Sequence, residues 1–213
     1  MSLSLPNGAI VSIASGYGTA IPVTALTNAA PPAATATAHG LTAGDIFEIT
    51  CGWSRFNNKI ARASVVTTNN FSYENLDSTL TSIYPAGNGT GSVRKITGWT
   101  QLQQILTSST SGGAQQFLTY QLLEADAQHN IPTIKNPLDM TFEVADDPTL
   151  AGYQLVSAAN DDRLPRAVKI TLASGSILLY NAYLSINRVP SLTVNTLMSC
   201  QVTLSLLNEP VRY

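Results

Sequence analysis

The sequence predicts a mainly β fold: an antiparallel β-sandwich or barrel with one flanking α-helix, a long hairpin and a small β insertion. Three observations predict it. Apolar and polar residues alternate in four late segments, which start at Leu138, Val168, Leu178 and Met198. Side chains of a strand point to alternate faces, so each apolar row can cover a core while its polar row stays in water. Turn residues separate these segments, and only residues 147–159 show helical spacing.

We expect three units along the chain. Residues 1–29 form an N-terminal arm and a first hairpin, residues 30–95 an inserted small β module, and residues 96–213 the core domain. The first hairpin is predicted over residues 9–23, because two apolar runs flank a turn at Gly16-Tyr17-Gly18. The first eight residues are expected to be a short flexible segment.

The inserted module has its own turn and strand signals. Residues 39–45 read His-Gly-Leu-Thr-Ala-Gly-Asp, a turn that leads into a predicted strand at 46–49. Further strands are predicted at 61–66 and from Phe71 onward, and Gly87-Asn88-Gly89 closes the unit. The pattern at 39–45 is similar to short β modules of bacteriophage structural proteins.

A second hairpin is predicted over residues 96–127 and is almost free of charge. Its strands are expected at 100–106 and 117–125, and residues 107–116 are expected to form the polar loop between them. A long exposed hairpin leaves unpaired backbone groups that favour aggregation. Pairing with further copies around a closed ring would remove that edge.

The predicted core domain continues with a strand at 138–144 and the helix. Asp147 is predicted to cap the helix, with Pro148 at the first helical position. A hairpin follows, with strands that start at Arg166 and Leu178 and a turn at Gly175, and a last strand runs to Leu206.

The composition limits the possible partners. Charged residues make up 11% of the 213 residues and the net charge is −2, whereas soluble domains carry roughly 25% charged residues. Low charge favours large contacts between identical copies, although a neutral extracellular β domain would have the same composition. The absence of a basic stripe argues against gripping nucleic acid, and no apolar run reaches the length of a membrane span. The N-terminus lacks a signal-peptide pattern, so we expect folding in a cytoplasm.

We find no pattern of catalytic residues and predict that the protein is not an enzyme and holds no cofactor or metal. His39 and His129 have no ligand partners at metal-site spacing, so solvated or hydrogen-bonded roles are expected. Cys51 and Cys200 are predicted to be small buried hydrophobes. The acidic pairs that flank the helix are better explained by capping than by glycoside hydrolysis. Glu124 and Asp126 share one predicted strand face and offer at most a local negative field.

From residue 93 to 213 the order of elements resembles a known family. The long polar hairpin, the strand at 138–144, the Asp146-Asp147-Pro148 helix start, the strand Arg166–Leu172 and the closing strands are similar to the tail tube (major tail) proteins of long, non-contractile-tailed bacteriophages, the lambda-like tail tube family. The first hairpin would belong to the same domain. Residues 30–95 depart from the minimal family pattern and would be an insertion.

The resemblance implies a structural virion protein that forms hexameric rings. The rings stack into the tail tube, the conduit for DNA during ejection, and neighbouring hairpins form its inner wall. It implies contact with other tail proteins (tape measure, tail terminator and tail tip), passage of DNA without specific binding, no membrane contact, and assembly in the host bacterial cytoplasm. The residues expected to face the lumen are Gln101, Gln103, Thr119, Gln121 and Glu124. The loop expected to contact the next ring contains Ser108, Ser109, Gly112, Gly113 and Gln116, and the N-terminal arm would contact it too.

Two other functions remain open from the sequence. A carbohydrate-binding, receptor-binding or decoration protein of a phage tail or capsid would use exposed Trp53, Phe56 and Tyr84 to stack on sugars, although these aromatics also suit the core of the module. A type VI secretion tube protein would share the architecture of the tail tube.

Overall fold

The computed structural model describes residues 7–213, and within them the fold is mainly β with one α-helix. Most of the short N-terminal segment expected at residues 1–8 lies outside the described residues. The elements, in chain order, are β1 (Ile10–Val23), β2 (Ala25–Leu26), β3 (Ala33–Thr35), β4 (Ile46–Cys51), β5 (Ile60–Ser64), β6 (Asn70–Tyr73), β7 (Gly91–Leu102), β8 (Ile105–Gly112), β9 (Gln115–Tyr120), β10 (His129–Lys135), β11 (Leu138–Ala145), α1 (Ala151–Asp162), β12 (Arg166–Thr171), β13 (Ile177–Ile186), β14 (Ser199–Leu206) and β15 (Val211–Arg212).

One curled antiparallel sheet contains most of these strands, which confirms the predicted fold class. Its order is β2-β3-β6-β5-β4-β7-β1-β12-β13-β14-β11-β8, with β15 paired to β13, and β9 and β10 pair separately. The four alternating segments of the last third fall on β11, β12, β13 and β14. Their apolar rows are buried around Phe142, Val168, Tyr180 and Val202.

A second apolar cluster lies under strands β3 to β7. It is built from aromatic residues, among them Phe47, Trp53, Phe56, Phe71 and Tyr73, whose rings contact one another edge-on or tilted. The strands of this region lie close to their predicted positions. The division of the chain into an inserted module and a core domain stays a prediction.

The predicted first hairpin is wrong, because β1 is a single strand that runs from Ile10 to Val23 and pairs with β7 along its length. Bulges near Gly16 take up the turn-like residues, as the register shifts between Ala14 and Ala20 show. Gly16 faces Gly98 across the ladder, where a Cβ on either residue would come within 3 Å of a neighbouring side-chain oxygen. The glycines therefore allow close strand approach, and they do not form a turn.

The predicted pairing of the second hairpin is wrong. Residues 100–106 and 117–125 do not pair with each other, because the chain turns at Gln104, whose φ is +57°. The expected polar loop is instead strand β8, which pairs with β11. The Pro-containing connector before Leu138 is β10, which pairs with β9. The result is one longer hairpin, with legs at residues 105–120 and 129–145.

The predicted helix cap is also wrong. Helix α1 begins at Ala151, and its N-cap position is Leu150, which makes no side-chain capping bond. The Asp147 carboxylate accepts hydrogen bonds from the backbone N–H and the hydroxyl of Thr149 (3.0 and 2.6 Å), so it closes a turn ahead of the helix, with Pro148 inside that turn. Gly152 packs the helix against β7, where a Cβ would lie 2.4 Å from the carbonyl oxygen of Gln101.

A buried carboxylate joins the aromatic cluster to the rest of the sheet. Glu48 on β4 is 5% exposed and accepts hydrogen bonds from Arg94 Nε (3.1 Å) and from Asn181 Nδ2 on β13 (2.8 Å). Asn181 is fully buried, and its Oδ1 has no hydrogen-bond partner among the described residues. The Glu48 carboxylate therefore accepts the hydrogen bond of the buried Asn181 side-chain NH2 group, which without Glu48 would also lack a partner.

Substituting Glu48→Ala should destabilise the fold by about 2–3 kcal/mol, because it strips a buried amide of its acceptor and Arg94 of its counter-charge. Glu48→Gln keeps an acceptor oxygen and should lose less. Urea unfolding of the purified chain measures both differences. Equal stability of the Ala variant and the wild type would show that this junction contributes nothing.

Candidate assembly surfaces

The long hairpin bends at a pair of glycines where it leaves the main sheet. Gly112 and Gly113 have φ of +84° and +74°, which glycine adopts without strain. The Gly113 N–H donates to the Pro137 carbonyl oxygen (3.1 Å), so the ladder continues through the bend. A Cβ on Gly112 would lie 1.9 Å from that same oxygen. The joint therefore tolerates no side chain at Gly112.

Beyond the joint, β9, β10 and the turn between them form a projecting hairpin, residues 114–136, with exposed apolar side chains on both faces. Leu118 pairs with Ile131 on one face, and Phe117 pairs with Pro132 on the other. The exposed large apolar residues of this hairpin are Phe117, Leu118, Tyr120, Leu122, Leu123, Ile131 and Ile134. An isolated two-stranded hairpin is marginally stable in water. Apolar residues on both of its faces indicate a contact on each side.

One ion pair ties the base of the projecting hairpin to the chain after β14. Lys135 Nζ donates to the Glu209 carboxylate, and this hydrogen bond lowers the pKa of Glu209. Both side chains are largely exposed, so the pair contributes little to stability.

The first leg of the long hairpin, residues 105–120, offers an unprotected edge. It contains no charged residue and no proline, which are the usual devices that block strand pairing. Among the described strands, β8 pairs only with β11. The Asp146 N–H donates to the Met198 carbonyl oxygen on the β14 side and the Ala145 N–H donates to the Gln104 carbonyl oxygen on the β8 side, so the odd-numbered residues of β11 point their N–H groups toward β8. The register places these residues opposite Thr107, Ser109 and Ser111, so the N–H groups of Ser108 and Thr110 lie on the free side.

Strands β8, β11 and β14 share a polar face that points away from the core. The register places Thr141 between Ser109 and Thr203, and Glu143 between Thr107 and Gln201. The side chains of this polar face are Thr107, Ser109, Ser111, Asp139, Thr141, Glu143, Ser199, Gln201, Thr203 and Ser205. Six of them, Thr107, Ser109, Thr141, Glu143, Ser199 and Gln201, line an open groove of ≈ 390 Å³ together with Asn187, Val189, Pro190 and Ser191.

The two carboxylates of the polar face are held by hydroxyls. Glu143 accepts hydrogen bonds from Thr107 Oγ1 (3.2 Å) and Ser199 Oγ (2.5 Å), and Asp139 accepts one from Ser205. No Lys or Arg occurs among the ten residues of this face. The face is therefore hydrophilic and weakly negative.

A family model described as "Phage tail tube protein, TTP" matches residues 51–213. The chain belongs to the phage tail tube protein family. This match confirms the resemblance and indicates a structural component of the virion tail. Membership of this family implies assembly with other tail components in a tube. The match begins inside the segment expected to be an insertion, so residues 51–95 are also part of the family pattern. No curated protein matches the sequence.

The structure of this tail tube protein does not bring the expected lumen residues together. Gln101 and Gln103 are exposed at the end of β7 and just after it, whereas Thr119, Gln121 and Glu124 belong to the projecting hairpin and its turn. The whole of β8 lies between these two groups of residues along the chain. Glu124 and Asp126 lie in that turn, so the expected shared strand face is wrong. Sequence reasoning did not single out the polar face, although the alternation of its residues was visible.

The residues expected in a ring-contact loop have a different local structure. Ser108, Ser109 and Gly112 lie on β8, Gly113 lies at the joint and Gln116 on β9. All five therefore lie along the first leg of the long hairpin or at its joint, and none belongs to a loop tip. Their contact with a neighbouring ring stays a prediction.

The expected sugar-stacking aromatics are core residues. Trp53 and Phe56 are 2% and 1% exposed, and Trp53 Nε1 donates to the Pro85 carbonyl oxygen (2.9 Å). Their rings lie 5.3 and 4.8 Å from the ring of Tyr84, which is only partly exposed. The structure thus removes the aromatic platform that the carbohydrate-binding alternative requires.

The histidines and cysteines have the expected structural surroundings. His39 is buried and hydrogen-bonded to the Thr67 carbonyl oxygen and the Leu41 N–H, whereas His129 is exposed on β10. Cys200 is buried and Cys51 is half-buried; both are free thiols, and burial raises the pKa of each. Within residues 7–213 no cluster of three or more potential metal ligands occurs. The single helix in that range is too short to cross a bilayer.

Proposed function

We propose that this tail tube protein forms hexameric rings that stack into the phage tail tube and conduct the genome during ejection. The observation that supports the proposal best is the free leg at residues 105–120, which lacks charge and proline and has outward N–H groups at Ser108 and Thr110. Such an edge remains unpaired in one copy and is completed by a neighbour. A head-to-tail contact of this kind closes into a ring when the rotation between copies divides a full turn.

The polar face is the proposed wall of the lumen. It lies on the same strands as the free edge, so edge pairing around a ring would join the polar faces of neighbouring copies into one surface. Hydroxyls and amides can hold water against that wall, and Asp139 and Glu143 would repel the phosphates of DNA in every subunit. This wall takes the place of the expected row from Gln101 to Glu124.

The proposed partners are copies of the same chain and the proteins that fix the length and ends of the tube, namely the tape measure, the tail terminator and the tail tip. DNA would pass without specific binding, because the polar face offers no cation to grip phosphate. The proposed place of assembly is the cytoplasm of the bacterial host, and the proposed final location is the tail of the virion.

Negative-stain electron microscopy of the purified chain should show six-fold rings and tubes. Ser109→Cys, on the proposed lumen wall, should react with a bulky maleimide in dissociated subunits and be protected in tubes. Leu80→Cys, an exposed position outside β8, β11 and β14, should react in both states. A chain that stays monomeric at high concentration would contradict the proposed ring. Equal labelling of the Ser109→Cys and Leu80→Cys variants in tubes would contradict the proposed lumen wall.

A further inference from the structure

A second exposed apolar segment lies at the opposite end of the sheet from the projecting hairpin. The connection between β13 and β14 forms a tip loop, residues 189–198, held by the hydrogen bond from Ser191 N–H to the Ser199 carbonyl oxygen (2.9 Å). Its exposed large apolar side chains are Val189, Leu192, Val194, Leu197 and Met198. The tip loop contains no charged residue.

The register fixes the relative positions of the two segments. In the β11–β14 pair, Asp139 lies opposite Ser205 and Ala145 lies opposite Ser199. The projecting hairpin leaves the sheet at the first of these pairs, and the tip loop leaves it at the second. An eight-residue strand spans about 26 Å, so the two segments of one chain point away from each other and cannot meet.

We propose that the projecting hairpin of one copy packs on the tip loop of a second copy that follows it along the strand direction. The inference rests on the proposed tube, and it specifies which surfaces join successive rings. Contacts between unlike surfaces at opposite ends generate an open stack, as a tube of rings requires. The occupant is another copy, because the same chain supplies two exposed apolar surfaces of low charge at its opposite ends.

The available area suits such a contact. The hairpin offers seven exposed large apolar side chains and the tip loop five. Only one face of the hairpin can meet the tip loop, so about half of its seven apolar side chains and the five of the tip loop would bury about 900 Å² in each contact, at roughly 100 Å² for each side chain. This is less than the roughly 1,200 Å² of a stable isolated interface, but the contact is repeated by every copy around a ring, so the contacts between two rings act together. The charges of the hairpin between Gln115 and Ile134 are Glu124 and Asp126 in its turn. On the strands themselves the charged residue is Lys135 at the base, which is already paired with Glu209.

The double variant Leu192→Ser, Val194→Ser tests the contact on the tip loop. Both side chains are highly exposed (77% and 84%), so the fold should be retained. Electron microscopy should show single rings and an at least tenfold loss of tubes. The matched control is Val65→Ser, Leu80→Ser, which makes the same polarity change at exposed positions outside both segments and should form tubes as the wild type does.

Cross-linking between mixed copies tests the contact directly. One population carries Leu118→Cys on the hairpin and the other Val194→Cys on the tip loop, and a short bis-maleimide should link them into a dimer on a denaturing gel. A mixture of Leu118→Cys with Leu80→Cys is the control and should give no dimer above background.

The outcomes separate this inference from the proposed function. Normal tubes from the tip-loop variant, with no dimer above the control, overturn the inference and leave the tube intact. A wild-type chain that forms no rings counts against the proposed function instead. In that case the cross-linking experiment still tests the hairpin–tip contact, because the cross-linked dimer forms between two copies and does not require a ring.

Discussion

Substituting Thr110→Pro is expected to abolish ring formation while the chain stays folded. The N–H of Thr110 points to the free side of β8, so its removal leaves the β8–β11 ladder intact. Proline at such a position blocks one hydrogen bond of the neighbouring strand and places a ring in its path. Because the whole proposed ring contact is strand pairing, we expect at least a hundredfold shift toward monomer.

Thr110→Val is the matched control, because it keeps the N–H and the β-branched shape while it removes the hydroxyl. It should assemble as the wild type does. Analytical ultracentrifugation measures the monomer fraction of each variant, and circular dichroism with thermal unfolding checks the fold. Rings from a folded Thr110→Pro chain would show that the β8 edge is not the contact between neighbouring copies.

The sequence predicted the strands whose side chains alternate, because alternation directly reports one buried face. The strands β11, β12, β13 and β14 lie within a residue or two of their predicted positions, and their apolar rows face the core as expected, except for Met198, which precedes β14 and is exposed. The predicted hydrogen-bonded role of His39 also agrees with the structure. These features depend on local patterns, which a sequence displays.

The pairing of the strands could not be predicted in the same way. The segment Thr107–Gln116 resembles a loop because Ser, Thr and Gly dominate it, yet it forms β8 because β11 supplies a complementary ladder. Likewise, Gly16-Tyr17-Gly18 carries a turn signal, but the close partner β7 uses those glycines for strand approach. Long-range pairing overrode local propensity in both places. The expected lumen row assumed different partner strands, and the position of its residues in a tube stays a prediction.

The second large effect is expected at the glycine joint. Gly112→Ala should destabilise the chain by about 3 kcal/mol or more and prevent tube formation. An L-residue at positive φ costs roughly 1–2 kcal/mol, and the new Cβ would also collide with the Pro137 carbonyl oxygen, 1.9 Å away. The backbone must move to relieve that clash, and the movement would swing the projecting hairpin away from its direction.

Gly175→Ala separates the two causes. Gly175 has a φ of +85°, nearly that of Gly112, but no atom lies within 4 Å of the position of a Cβ there. The control therefore carries the cost of the backbone conformation alone and should lose only about 1–2 kcal/mol and still form tubes. Urea unfolding gives the two stabilities, and electron microscopy gives the two assembly states. Equal losses and equal tube formation for both variants would show that the joint accommodates a side chain at residue 112 and that the clash with Pro137 is relieved without moving the hairpin.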